Sequence, residues 1–105
     1  MPTIRKFLDL STAHLTTRDC DYLEDSVVSA RTSTVCMSYE HGFFVYASEE
    51  PGDDVSDNIK RAMAKARELD CDYLLFDQDA EPCEGLPLFD AETGQEATWE
   101  ELQAA

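Results

Sequence analysis

The alternation of apolar and polar positions divides the chain into short elements. Ile4, Leu8 and Leu10 share one side of an extended stretch, with Phe7 on the other, which predicts a first strand over Ile4 to Leu10. Ser11-Thr-Ala-His14 reads as a loop. Thr16 is followed three residues later by Asp19, a capping box with Asp in place of the usual Glu, and it opens a predicted helix from Thr17 to Val28. That helix puts Cys20, Leu23 and Val27 on one face and leaves Asp19, Glu24 and Asp25 largely solvated. Thr34 to Glu40 is rich in strand formers, His41-Gly42 marks a tight turn, and Phe43 to Ala47 is the return strand. After the breaker Glu49-Glu-Pro-Gly52, the residues Val55, Ile59, Ala62, Met63, Ala66 and Leu69 fall on one helical stripe. The strongest helix therefore runs from Asp54 to Leu69, with Asp53, Asp54 and Asp57 early and Lys65 and Arg67 late, as its dipole favours. Tyr73 to Phe76 is almost wholly apolar, as expected of a strand inside a sheet.

The order β-α-β-β-α-β is that of an α+β, ferredoxin-like sandwich, in which two helices cover one face of a four-stranded antiparallel sheet. Residues 1–78 would form this core, and residues 79–105 an acidic extension packed on it or trailing from it, in a single domain overall. Within the extension, Leu86 to Gln95 predicts a small hairpin turning at Gly94. Thr98 with Glu101 is a second capping box, starting a short helix from Trp99 to Gln103. A hydrophobic fraction of 43% with five Phe, four Tyr and one Trp argues against disorder for most of the chain. The opening Met-Pro-Thr-Ile-Arg-Lys-Phe lacks the apolar stretch of a signal peptide, and no run reaches the ~20 residues that span a bilayer. The expected location is the cytoplasm, with Cys20, Cys36, Cys71 and Cys83 as reduced thiols.

Charge changes this picture. The formal net charge is −15. The stretch Glu68 to Ala105 holds twelve acids and no Lys, Arg or His, whereas the preceding 67 residues hold 11 acids and 8 bases. So one-signed a surface repels nucleic acid and anionic membranes and attracts basic proteins. A solvated acidic face without a specific role is the plain alternative.

Asp77-x-Asp79-x-Glu81 directly follows the apolar strand, and carboxylates at a strand end suit a hard cation such as Mg²⁺. The pattern resembles the strand-then-Asp-x-Asp start of haloacid-dehalogenase-type phosphatases, but it lies late in a chain too short for the rest of that fold. It fails as an EF-hand, because Pro82 takes the Gly position and Leu88 the final Glu position. An acidic turn is the simpler reading. His14, Cys20, Cys71 and Cys83 lack the paired spacing of a zinc site, so no cofactor, metal or catalytic residue is expected. His41 reads as a turn residue. The aromatics Tyr39, Phe43, Phe44 and Tyr46 gather on the hairpin, with Phe44 and Tyr46 on one face. That face is either covered by the tail, with Trp99, or left open for a partner. RNA-recognition domains stack bases on such a face, but this hairpin carries no Lys or Arg.

Three stretches, Ser11-Thr-Ala-His-Leu-Thr16, Tyr39-Glu-His-Gly-Phe-Phe-Val45, and Asp72-Tyr-Leu-Leu-Phe-Asp77 with Leu86-Pro-Leu-Phe-Asp90, resemble a family of short uncharacterised bacterial proteins often carried on plasmids and integrated elements. The resemblance spans residues 7–90. It implies no activity, only an accessory-gene context in which anti-defence proteins, some of them DNA mimics, are common. The expected function is a non-enzymatic interaction protein that binds a basic, nucleic-acid-binding protein and touches no nucleic acid or membrane itself; a homodimer is compatible with it. Asp72, Asp77, Asp79, Glu81, Glu84, Asp90, Glu92, Phe44 and Tyr46 are the expected partner-binding residues. The alternatives are a metal-dependent hydrolase or phosphotransferase using Asp77 and Asp79, and an immunity or antitoxin partner of a basic toxin.

Overall fold

The computed structural model describes residues 3–28, 32–90 and 93–103. The elements are β1 (Phe7–Ser11), a 3₁₀ turn (Thr12–His14), α1 (Thr17–Val28), β2 (Cys36–Tyr39), β3 (Gly42–Tyr46), α2 (Asp57–Glu68), β4 (Tyr73–Asp77), β5 (Leu88–Phe89), β6 (Glu96–Ala97) and α3 (Trp99–Gln103). The predicted order of elements is present, and α1 and α3 have the predicted bounds. The first strand starts at Phe7 rather than Ile4, whose side chain is 93% exposed.

The sheet departs from expectation. Its order is β1-β4-β3-β2, with β5 and β6 forming a separate two-stranded ribbon. β4 runs parallel to β1 and antiparallel to β3, and β2 is antiparallel to β3. An all-antiparallel ferredoxin-like sheet is thus replaced by a mixed one with β1 at an edge. The physical reason lies in β4: Leu74 and Phe76 are fully buried, so this strand gains most from hydrogen-bonded neighbours on both sides. β1, preceded by Arg5 and Lys6 and exposing Phe7 and Asp9, tolerates an edge.

Strand alternation then decides what is buried. Leu10, Cys36, Phe43, Val45, Leu74 and Phe76 face the helices and meet Leu23 of α1 and Ile59, Ala62, Met63 and Ala66 of α2. Each fully buried Leu, Ile or Met contributes about 1.5–3 kcal/mol. The hairpin turn needs Gly42, because a Cβ there would lie 1.7 Å from the Phe76 carbonyl oxygen.

The helix ends are locked by short-range chemistry. Thr16 N–H donates to Asp19 Oδ2 (3.0 Å) and Asp19 N–H donates to Thr16 Oγ1 (3.1 Å), so the capping box forms. Asp19 is not solvated, however: it is 3% exposed. Its carboxylate also accepts from Ser56 Oγ (2.6 Å) and Asn58 Nδ2 (3.1 Å) at the start of α2. Ser56 in turn caps α2 by accepting from Ile59 N–H. One buried carboxylate therefore ties both helix N-termini together. At the other end of α2, Cys71 N–H donates to Ala66 O and Asp70 N–H to Arg67 O, with Asp70 at φ 61°. This is a Schellman termination with Asp in the left-handed position, which Asp tolerates better than most residues.

The chain beyond β4 is held by His14. Nε2 accepts from Cys83 N–H (2.9 Å), which leaves the proton on Nδ1 to donate to Pro87 O (2.8 Å). Cys83 and Leu86 pack on the core, and β5 lies against the 3₁₀ turn.

Asp19→Ala should cost about 2–3 kcal/mol, because it strands donors on two helices; an unchanged urea midpoint would refute this role. His14 gives a second expectation. Burial holds its pKa below the ordinary 6.5, although the Pro87 bond opposes this. The unfolded chain therefore takes the proton first as pH falls. The His14 contribution is complete above about pH 6.5 and is lost as pH drops from there toward the folded value. Between about pH 7 and about pH 5 the urea midpoint should fall and the Cys83 amide should lose exchange protection. His14→Gln should remove that dependence, and a pH-dependence surviving in it would place the titration elsewhere.

Candidate functional site

The side of the sheet away from the helices carries the opposite set of side chains. Register aligns them in rows. Phe7, Tyr73 and Tyr46 form one row, Asp9, Leu75, Phe44 and Met37 the next, and Ser11, Asp77, Gly42 and Tyr39 the third, in which Ser11 is buried. Phe44 stacks on Tyr73 with centroids 5.0 Å apart, and Phe7 and Phe44 make a T-shaped contact at 5.9 Å. Tyr46 meets Tyr73 edge-on at 5.6 Å. Phe7 is 50% exposed and Met37 60%. A contiguous apolar surface of this kind marks an interaction site more often than an isolated exposed side chain does.

The two ends of this face differ in charge. At the Tyr73 end, Arg67 Nε donates to Ala47 O (2.6 Å) and Nη1 to Asp72 Oδ1 (3.0 Å), while the guanidinium carbon lies 5.3 Å from the Tyr46 ring centre. Glu49 and Arg5 complete the cluster at 3.6 Å from Arg67 and 3.7 Å from Asp72. Asp72, an expected partner-binding residue, is thus engaged by two arginines of its own chain. At the other end, Asp77 accepts from Asp79 N–H (2.8 Å) and from Tyr39 Oη (2.7 Å). These two bonds hold the Asp77 carboxyl below the usual carboxylate range. Asp9 is pushed up by desolvation and by the Asp77 charge. Desolvation, the Asp77 bond and the charges of Asp77, Asp9 and Asp79 push the Tyr39 hydroxyl up to about 12. Among the described residues no Lys or Arg forms an ion pair with Asp9, Asp77 or Asp79; the near basic group is His41, hydrogen-bonded to Gln78 and 3.8 Å from Glu40.

The remaining expected residues lie elsewhere. Glu81 and Glu84 are exposed on the loop after β4, and Glu84 lines a cleft with Arg61 and Lys65 of α2. Asp90 sits at the β5–β6 turn and accepts from Thr93 N–H. Glu92 lies outside the described residues. Trp99 lines a cleft with Ser11, Thr12 and Phe89 and makes no ring contact with the sheet aromatics. The structure therefore brings together Asp77, Asp79, Phe44 and Tyr46. It adds Phe7, Asp9 and Tyr73, whose sides follow from the period-two alternation of β1 and β4, and the Tyr39 hydroxyl of β2.

A cleft of about 550 Å³ between α1 and the hairpin contains Cys20 and His41. Burial and the neighbouring Asp19, Glu24 and Asp21 push the Cys20 thiol up, and burial pushes Cys36 up to about 11. Reactive cysteines need the opposite shift. Among the described residues no group of three or more His, Cys, Asp or Glu is arranged to hold a metal ion, and no helix is long and apolar enough to cross a membrane.

The C-terminal domain of a family of unknown function, DUF5983, matches residues 7–91. The chain belongs to this family. The DUF5983 match runs from the start of β1 to just beyond β5, so it includes every open-face residue named above and the His14 bonds to Cys83 and Pro87. It agrees in extent with the resemblance to an uncharacterised family over residues 7–90. No curated protein and no solved structure matches the chain.

Difference titration of the tyrosinate absorbance, using Tyr39→Phe as reference, should place Tyr39 near 12. Asp77→Asn should bring it back toward the ordinary 10.0 and lower the Asp9 carboxyl as well. An unmoved Tyr39 would show that the hydroxyl and Asp77 are not coupled.

Proposed function

We propose that the protein is a non-enzymatic, cytoplasmic interaction module whose open sheet face docks on a basic surface of another protein, one that binds nucleic acid. The observation that carries this reading is the open aromatic face ending in carboxylates that no Lys or Arg among the described residues pairs with. Apolar rings supply area at low entropic cost, and a one-signed field steers an oppositely charged partner and fixes its orientation. The same field repels phosphate, so nucleic acid and anionic lipid are disfavoured as direct ligands. Carboxylates on a small rigid domain can occupy the Lys and Arg positions that otherwise meet phosphates, which is the physical content of nucleic-acid mimicry. A mobile-element gene with an anti-defence role, and an immunity protein against a basic toxin, both fit that charge logic. The metal-dependent hydrolase is favoured by no observation: among the described residues no group of three or more His, Cys, Asp or Glu is arranged to hold a metal ion, and the Cys20 and Cys36 thiols are pushed up by burial.

Affinity capture of the partner should weaken by about tenfold or more in the Phe44→Ala, Tyr46→Ala double variant, the loss expected when central aromatic anchors are truncated. Added salt should weaken it progressively, and duplex DNA should displace the captured protein. Capture unchanged by the double variant would remove the sheet face from the interface. Capture insensitive to salt and DNA would remove charge.

A further inference from the structure

We infer that the partner residue seated at the Asp77 end of the open face is an arginine, its guanidinium laid against the Tyr39 and Phe44 rings and paired with the Asp9 and Asp77 carboxylates. The inference rests on the reading of this face as a docking surface and specifies what docks there. Its ground is a repetition within the molecule. At the Tyr73 end of the face the chain's own Arg67 satisfies an aromatic ring and a carboxylate together, lying 5.3 Å from the Tyr46 centre and 3.0 Å from Asp72. The Asp77 end offers the same two kinds of partner with no guanidinium among the described residues paired to them.

Register shows how the seat is made. Gly42 stands between Asp77 and Tyr39 in the third row and has no side chain. Tyr39 crosses that gap to reach Asp77 at 2.7 Å, so its ring spans the sheet there. Tyr73 stacks on one face of Phe44. Asp9, opposite Leu75 in the second row, is exposed and accepts no hydrogen bond among the described residues. Asp9 and Asp77 repel one another, and Asp79 adds to the field at Tyr39, with His41, itself beside Glu40, as the near basic group. A cation placed between Asp9 and Asp77 relieves that repulsion. Lysine would supply charge alone. Arginine also stacks, sheds its hydration more easily and donates in a plane to two carboxylates. A second copy of this chain is a poorer occupant: its net charge is also −15, and its Arg67 is already engaged.

The test is an amide-shift titration of the isotope-labelled chain with two blocked peptides, Gly-Arg-Gly-Arg-Gly and Gly-Lys-Gly-Lys-Gly, of equal length and charge. The arginine peptide should shift Tyr39, Gly42, Phe44 and Asp77 and bind at least about fivefold more tightly than the lysine peptide. Asp9→Asn, an exposed position that leaves the fold intact, should weaken both peptides. Tyr39→Leu should abolish the difference between them. Equal binding of both peptides at this face would overturn the arginine inference and leave basic docking standing. Shifts confined to other parts of the surface would overturn both. Loss of the peptide site to self-association, seen as a dimer by sedimentation, would assign the seat to a second copy and overturn the inference.

Discussion

Burial in this protein is one-sided. Two helices of twelve residues each lie on the same side of a four-stranded sheet and fill it with Leu23, Ile59, Ala62, Met63 and Ala66. The chain after β4 is tied down at one end of the sheet, where His14 holds Cys83 and Pro87 beside the 3₁₀ turn and β5 rests there. Alternation along each strand then has a fixed consequence. Apart from Ser11, which is 3% exposed and lines a cleft with Phe89, Trp99 and Leu102, the residues pointing away from the helices reach a surface that nothing among the described residues covers. That surface is mostly aromatic: Phe7, Phe44, Tyr46 and Tyr73 are in mutual ring contact across three strands. The fold and the candidate interface are two results of the same arrangement.

The polarity of the face follows from chain connection. Only Leu69 to Asp72 separate α2 from β4. The cations that favour the last turn of α2 must therefore fall beside the first residues of β4, where Arg67 meets Ala47, Asp72 and Tyr46. β4 is five residues long. Its far end is roughly 13–17 Å away at ~3.3 Å per residue, beyond the screening distance of about 8 Å at physiological salt. The carboxylates there act as unneutralised charge. Adding cations along the sequence would not alter this unless they were carried on β1, β2 or the turns at that end.

What the sequence made legible was local. The first capping box, the Glu101 N–H to Thr98 Oγ1 half of the second, the apolar stripe of α2, the His41-Gly42 turn and the pairing of Phe44 with Tyr46 on one face depend on residues close together in the chain, and the structure contains each of them. What it hid was non-local. Asp19 looked solvated because its second set of donors, Ser56 and Asn58, lies 37 and 39 residues away. The hydrogen bonds of His14 span 69 and 73 residues, so His14 read as part of a loop. The place of β4 between β1 and β3 depends on competition among strands for the interior, to which element order alone is blind.

The acidic region shows the same difference between charge along the chain and charge in space. Twelve consecutive acids without a base suggested one continuous negative surface. Folding separates them: Asp72 joins an arginine cluster, Glu84 lines a cleft with Arg61 and Lys65 of α2, and Asp90 closes a turn in the small ribbon. The carboxylates that lie near the Tyr39 ring and pair with no Lys or Arg among the described residues are Asp77 and Asp79 from that region and Asp9 from the first strand, where the sequence charge is nearly balanced. A recognition surface built this way reads geometry as well as sign, since a partner must present its cation at one end of the rings and its apolar area along them. Charge alone would attract any basic protein; the fixed order of rings and carboxylates across β1, β4, β3 and β2 is what can choose among them.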